Sequence, residues 1–124
     1  MATVAQVPHR SPRHTLATCC ATHALHDGLS DINYVLLPIL AQAFNLSLVQ
    51  VGSLRSVWRA ATSLFEVPAG LLAERFGVRN LLAIGTACSG IAFIALGNVA
   101  GFTAILVTLF FAGLGSAFQH PMCS

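Results

Sequence analysis

The chain has 124 residues, of which 56% are hydrophobic and 8% charged, and its formal net charge is +2 at pH 7. Soluble domains carry about 25% charged residues, so this composition indicates a membrane protein. Nucleic-acid binders need clustered positive charge on a polar surface, which six cationic side chains in a mainly apolar chain do not provide. We therefore expect a polytopic protein surrounded by a lipid bilayer, with no nucleic-acid partner.

Four apolar segments follow a basic N-terminal stretch, and each is about as long as the roughly 20 residues that a membrane helix needs. We predict a cytoplasmic tail at 1–16 and transmembrane helices at about 17–44, 48–74, 80–98 and 102–124. The first two helices contain ionisable residues, whereas the last two contain no Asp, Glu, Lys or Arg. The predicted fold class is therefore an all-α membrane protein.

The arginines predict the orientation of these helices. Arg10 and Arg13 precede the first helix, and Arg75 and Arg79 lie in the second turn, whereas the first and third turns carry no charge. Because positive residues favour the cytoplasmic side, we expect the N-terminus and the 74–80 turn to be cytoplasmic.

The ionisable residues within the first two helices form two stripes. A charge in the bilayer core costs at least about 2.5–3.5 kcal/mol on insertion scales, and such residues usually face the interior of a bundle. At about 100° per residue, each stripe occupies one helix face. The stripes are His23, Asp27, Asp31 and Tyr34 on the first helix and Arg55, Arg59, Thr62 and Glu66 on the second.

The expected depths of these residues in the membrane predict two layers of polar contacts between the helices. Asp31 and Arg59 lie at similar distances from the short turn that joins their helices, so we expect them to form an ion pair. Asp27, Glu66 and His120 are expected to form a second layer nearer the cytoplasm. A desolvated carboxyl there would bind and release protons, and His120 would relay them. The alternative is a static set of ion pairs that fixes the helix register.

The second turn is short and framed by two glycines, with the sequence GLLAERFGVR from residue 70 to residue 79. Gly70 allows close approach of a neighbouring helix, and Gly77 permits a tight reversal. Glu74 and Arg75 can form charge-assisted hydrogen bonds to helix ends. The turn resembles the loop between the second and third helices of major facilitator superfamily transporters, G-x-L-A-D/E-R-x-G-R/K-R/K. Of the two basic positions after Gly77, only the second is basic here, at Arg79.

Other segments extend the resemblance from about residue 20 to the end of the chain. They are similar to the fosmidomycin-resistance-like kind of major facilitator transporter. These segments are HALHDGLSD at 23–31, FNLS at 44–47, QVG at 50–52, VPAG at 67–70, GLGS at 113–116 and QHP at 119–121.

The resemblance implies a fold of twelve helices in two six-helix halves, with the substrate site between the halves. This chain would supply the N-terminal three and a half to four helices, and the missing C-terminal half would be its partner. Family members are secondary transporters, often proton-coupled exporters of drugs or small metabolites, and need no cofactor. Helices one and four line their cavity, which favours Asp27, Asp31 and His120 as transport residues. Helix two is more often peripheral, so Arg55, Arg59 and Glu66 would serve the interface between the halves. The glycine-framed turn would latch the two halves on the cytoplasmic side of a bacterial inner membrane.

Two other interpretations stay open. The chain fits the length of a complete four-helix transporter that works as an oligomer, although the Glu that such proteins carry in helix one is absent. It also fits a non-transporting membrane remnant. The four cysteines show no metal-ligand spacing, and no nucleophile–base pair stands out, so we predict neither a metal site nor an enzyme.

Overall fold

The computed structural model describes residues 12–119, apart from the side chain of Thr15, and the whole of this range is built from helices and short turns. No β-strand occurs among these residues, which confirms the all-α prediction. The helices are α1 at Pro12–Ala43, α2 at Leu48–Phe76, α3 at Val78–Leu96 and α4 at Phe102–Ala117.

The helix bounds differ from the predicted spans mainly at the start of α1 and the end of α4. The first helix begins at Pro12, inside the segment predicted as a tail. Proline suits a first helical turn because it lacks the N–H that would have no partner there, and its φ is already helical. The fourth helix ends at Ala117, and residues 120–124 of the predicted span lie outside the described range.

The turn between α1 and α2 is defined by two local motifs. Asn45 has a φ of 49°, and Leu46 donates its N–H to the carbonyl of Ala41 at 2.9 Å. This six-to-one bond across a left-handed residue closes the C-terminus of α1. Ser47 and Gln50 then form a reciprocal capping box, each side chain accepting the other residue's backbone N–H. The two helices therefore begin and end where local hydrogen bonding requires it.

The fourth helix is the centre of the bundle, because it packs against both α2 and α3, whereas α1 contacts α2 only sparsely. Glycines allow the close approach on each side: Gly113 faces Trp58 and Ala61, and Gly115 faces Gly85 and Ser89. The buried hydrophobic cluster draws on all four helices. Its members are Leu37, Leu54, Trp58, Ala92, Leu96, Ile105, Leu109 and Ala112.

Hydroxyl groups join α4 to its two neighbours. Thr62 on α2 donates to the carbonyl of Gly113 at 3.2 Å, and Ser89 on α3 donates to the carbonyl of Ala112 at 3.2 Å. Small polar residues of this kind hold membrane helices together where lipid gives no hydrophobic driving force. Thr62 shares the predicted stripe of Arg55 and Arg59, but the structure buries its side chain against α4.

Apolar length differs among the helices. Within the described residues, α3 alone is long and apolar enough to cross a membrane by length and composition, and α4 is apolar but shorter over its described part. The first two helices exceed the needed length but carry the ionisable residues that lower their hydropathy. The fold therefore combines two apolar helices with two long helices that carry polar faces.

Candidate functional site

A pair of arginines converges on one tyrosine between α1 and α2. Arg55 donates to the hydroxyl oxygen of Tyr34 at 3.2 Å, and its guanidinium carbon lies 4.9 Å from the centre of the Tyr34 ring. Arg59 donates to the same oxygen at 3.5 Å and lies 5.6 Å from the Trp58 ring. The two cations are one helical turn apart on α2, so their side chains are neighbours. Each is partly stabilised by an aromatic face.

Behind this pair lies a small pocket of about 10 Å³, room for one water-sized group. The pocket is lined by four residues with polar atoms and by three leucines. The four are Asn33, Tyr34, Arg55 and Trp58. The indole N–H of Trp58 and the amide oxygen of Asn33 are buried and have no hydrogen-bond partner among the described residues. Because an unpaired buried polar atom is costly, the pocket is suited to a group that hydrogen-bonds there.

The predicted ion pair between Asp31 and Arg59 is not formed. Arg59 bonds to Tyr34 instead, and Asp31 is exposed. The reason is the rotation of α1 about its axis. Its buried face carries His26, Asn33 and Leu37, which places Tyr34 beside α2 and turns Asp31 away from it.

The predicted second layer, which consists of Asp27, Glu66 and His120, is only partly within the described residues. Asp27 forms an ion pair with His23, one turn earlier on α1, at 3.3 Å. Glu66 is half-buried on α2. His120 lies outside the described range, so its place in this layer stays a prediction.

A second polar region lies between α1, α3 and α4, around a cavity of about 220 Å³. His26 and Ser30 from α1 line it, and their side chains lie 3.4 Å apart. Gln119 lines the opposite wall, where its amide nitrogen donates to the hydroxyl of Thr86 at 2.5 Å and its amide oxygen is buried without a partner among residues 12–119. The cavity therefore presents both hydrogen-bond donors and acceptors inside the bundle.

Sequence reasoning missed the polar residues that the bundle buries. His26 and Asn33 are 5% and 6% exposed, and Gln119 is 2% exposed. On α1, the buried polar side chains precede the predicted charged stripe by one residue, about 100° around the helix. The seven-residue spacing of His26 and Asn33 was the signal available in the sequence.

The glycine-framed turn between α2 and α3 is exposed. Gly77 has a φ of 82°, and its N–H donates to the carbonyl of Ala73 at 2.9 Å, which closes α2. Glu74, Arg75 and Arg79 all project from this turn as exposed side chains, and Gly70 is half-buried one turn before it. The charged groups of this turn are therefore exposed, and their role in a latch stays a prediction.

No metal centre is evident in the part of the chain that the structure describes. Residues 12–119 contain no group of three or more His, Cys, Asp or Glu side chains that could hold a metal ion. The polar sites described above are therefore built from hydrogen-bonding and ionic groups.

Ionisable residues within membrane helices usually face the bundle interior and mark substrate or ion pathways, which is typical of helical membrane transporters. The sequence model of the Major Facilitator Superfamily matches residues 19–124, and the chain belongs to this family of transmembrane transporters. This confirms the resemblance drawn from the glycine-framed turn.

Curated relatives have similar sequences at modest identity. An uncharacterized MFS-type transporter of Bacillus subtilis, YfnC, is 28% identical over 99 residues, which cover 80% of this chain and 24% of that protein. The fosmidomycin resistance protein of Escherichia coli is 27% identical over 111 residues, which cover 88% of this chain and 27% of that protein. The chain thus spans about a quarter of the length of the relatives it matches. No solved structure matches the chain.

Proposed function

We propose that the chain is part of a secondary active transporter that exports a small molecule in exchange for protons, by alternating access. The observation that carries the proposal is the pair of charged helix faces on α1 and α2, in a chain whose family transports solutes across membranes. The name of the Escherichia coli relative, a fosmidomycin resistance protein, favours export of a toxic small molecule.

The His23–Asp27 pair supplies the proton-binding part of this proposal. The two groups lie 3.3 Å apart on α1, and neither is buried by the described residues, since their side chains are 45% and 48% exposed. We propose that this pair takes up and releases the coupled proton and that its charge changes when it does so. A change of charge on a membrane helix alters the free energy of its inward- and outward-facing positions by different amounts, which is the requirement for coupling.

Asp31 and the remaining predicted residues complete the transport path. Asp31 is exposed on the same face of α1 as Asp27, one turn further along the helix. We propose that these two carboxylates bind protons in turn, with Glu66 and His120 on the neighbouring helices. We propose that the glycine-framed turn latches the two halves of the transporter through Gly70, Glu74, Arg75, Gly77 and Arg79.

Proton-coupled export can be tested with fosmidomycin as the first compound. The intact protein is expressed in a sensitive bacterium, and proton movement on addition of fosmidomycin is measured in inside-out membrane vesicles. We expect Asp27→Asn to abolish proton movement and resistance while membrane insertion stays normal, because Asn holds the geometry but binds no proton. Asp27→Glu is the matched control and should keep part of the activity. Full resistance in Asp27→Asn, or resistance that survives a protonophore, would contradict the proposal.

We further propose that the chain acts within a longer protein that supplies the second half of the cavity. Its match to about a quarter of each relative supports this. An antibody to residues 1–14 tests it on the source membranes. A product about four times the length of this chain is expected, whereas a product of 124 residues would favour the four-helix oligomer or the non-transporting remnant.

A further inference from the structure

The arginine pair has no carboxylate partner among the described residues. The chain contains four Asp and Glu side chains in all, and every one lies within the described range. None of them forms an ion pair with Arg55 or Arg59, since Asp27 is held by His23 and the other three make no ion pair there. The hydroxyl of Tyr34 is a neutral acceptor and leaves the charge of both guanidiniums in place.

Two like charges at this spacing repel each other, and each is costly in a membrane helix. Their convergence on one oxygen brings both guanidiniums within reach of a single two-oxygen anion. The planar fork of each guanidinium matches the geometry of a carboxylate or a phosphate. Trp58, whose ring lies 5.6 Å from the Arg59 guanidinium carbon, also lines the adjoining pocket.

We propose that Arg55 and Arg59, which converge on the hydroxyl oxygen of Tyr34, bind an oxyanion group of the transported substrate, either a carboxylate or a phosphate. The inference rests on the proposed transport function, because it assigns the substrate class of that transporter. The two guanidiniums, which are exposed, bind the anion from the open side of the α1–α2 contact.

The depth of the pair favours a substrate over a lipid headgroup as the source of the anion. Arg59 is 11 residues beyond the first residue of α2, which is about 17 Å along the helix. With α2 entering a hydrocarbon core about 30 Å thick at its first residue, Arg59 would lie near the middle of that core, whereas headgroups stay at the surface. A solute that enters a central cavity reaches this depth.

Binding is tested on the intact protein in phosphatidylcholine nanodiscs, without any proton gradient. Benzoate and inorganic phosphate are the probes, benzamide is the uncharged counterpart of benzoate, and calorimetric titration gives the dissociation constants. We expect wild-type protein to bind at least one of the two oxyanions and not benzamide. Arg55→Gln and Arg59→Gln should each weaken binding at least tenfold, or about 1.4 kcal/mol. Arg13→Gln makes the same charge change at an exposed site in the first turn of α1 and should stay within about twofold of wild type.

A conservative variant separates charge from geometry and guards against misfolding. Arg59→Lys keeps the positive charge but loses the guanidinium fork, so its affinity should fall between that of wild type and that of Arg59→Gln. Failure of both oxyanions to bind, equal binding of benzamide, or an unchanged affinity in Arg59→Gln would each overturn the proposal. If phosphatidylglycerol nanodiscs abolish benzoate binding through the same two arginines, the occupant is a lipid headgroup and the substrate assignment is wrong.

Transport measurements distinguish failure of this inference from failure of the transport proposal. If the anion binds through the arginine pair but proteoliposomes show no proton-driven movement of any solute, including fosmidomycin, the transporter proposal fails, and the arginine pair remains an anion-binding site without its assignment to a transported substrate. If proton-driven export persists unchanged in Arg55→Gln and Arg59→Gln, the transporter proposal stands and the anion site fails.

Discussion

The contact of α3 with α4 depends on the absence of a side chain at Gly115. A Cβ atom at this position would lie 2.7 Å from both the carbonyl oxygen of Gly85 and the backbone nitrogen of Ser89, and still closer to the Ser89 hydroxyl. Backbone atoms cannot rotate away, so Gly115→Ala requires the two helices to separate. Overpacking of this kind costs about 1–3 kcal/mol.

Gly90→Ala is a control for the higher helix propensity of alanine. Replacing a helical glycine by alanine gains up to about 1 kcal/mol in helix propensity, which offsets part of the clash. Gly90, in the middle of α3, has no neighbouring atom within 4 Å of the position that an added Cβ would take. Gly90→Ala therefore has the propensity gain without the clash, and the difference between the two variants isolates the cost of forcing α3 and α4 apart.

Cys88 provides the measurement. This half-buried residue lies between the two helices, and its thiol donates to the carbonyl of Phe111 at 3.5 Å. With the other cysteines replaced by serine, separation of α3 and α4 exposes Cys88 further and raises the rate at which a thiol reagent alkylates it in the intact protein. We expect Gly115→Ala to react faster than Gly90→Ala, with an upper limit of about 140-fold, since about 1.4 kcal/mol corresponds to tenfold and the half-buried thiol already reacts in the closed bundle. Equal or slower alkylation would refute the close-packing argument.

Two further predictions concern the turns. Ser47→Ala removes the side-chain cap of α2 and should lower the free energy of unfolding by about 0.5–2 kcal/mol, measured against Ser63→Ala at an exposed position within the same helix. Gly77→Ala should cost about 1–2 kcal/mol, because its φ of 82° is left-handed, although no atom lies within 4 Å of the added Cβ. The control is Gly97→Ala, whose φ of −72° suits alanine, and equal stability of these two variants would contradict the backbone-strain argument.

The sequence predicts the helical class of this chain better than its contacts. Apolar runs of membrane length were sufficient to predict the all-α fold, and the glycine-framed charged turn was sufficient to predict the family. Each of these features can be recognised within one segment of the sequence. The pairing of Asp31 with Arg59 required more, namely the rotation of one helix relative to another. That rotation is set by packing, in which Leu37 of α1 joins Leu54 and Trp58 of α2 in one buried cluster. The hydropathy pattern of α1 alone does not predict this rotation.

The rotation of α1 also distinguishes buried from accessible polar residues, which the sequence alone does not. His26 and Asn33 lie on the buried face, where they meet fixed neighbours and cavities of limited size. Asp27 and Asp31 lie further around the helix and remain accessible. A group that must exchange protons with water has to be on the accessible face, whereas a group that fixes helix register has to be buried. The same argument applies to the arginine pair, which is exposed, whereas Trp58, against whose ring Arg59 lies, is buried; the exposed side is the one from which the proposed anion would bind.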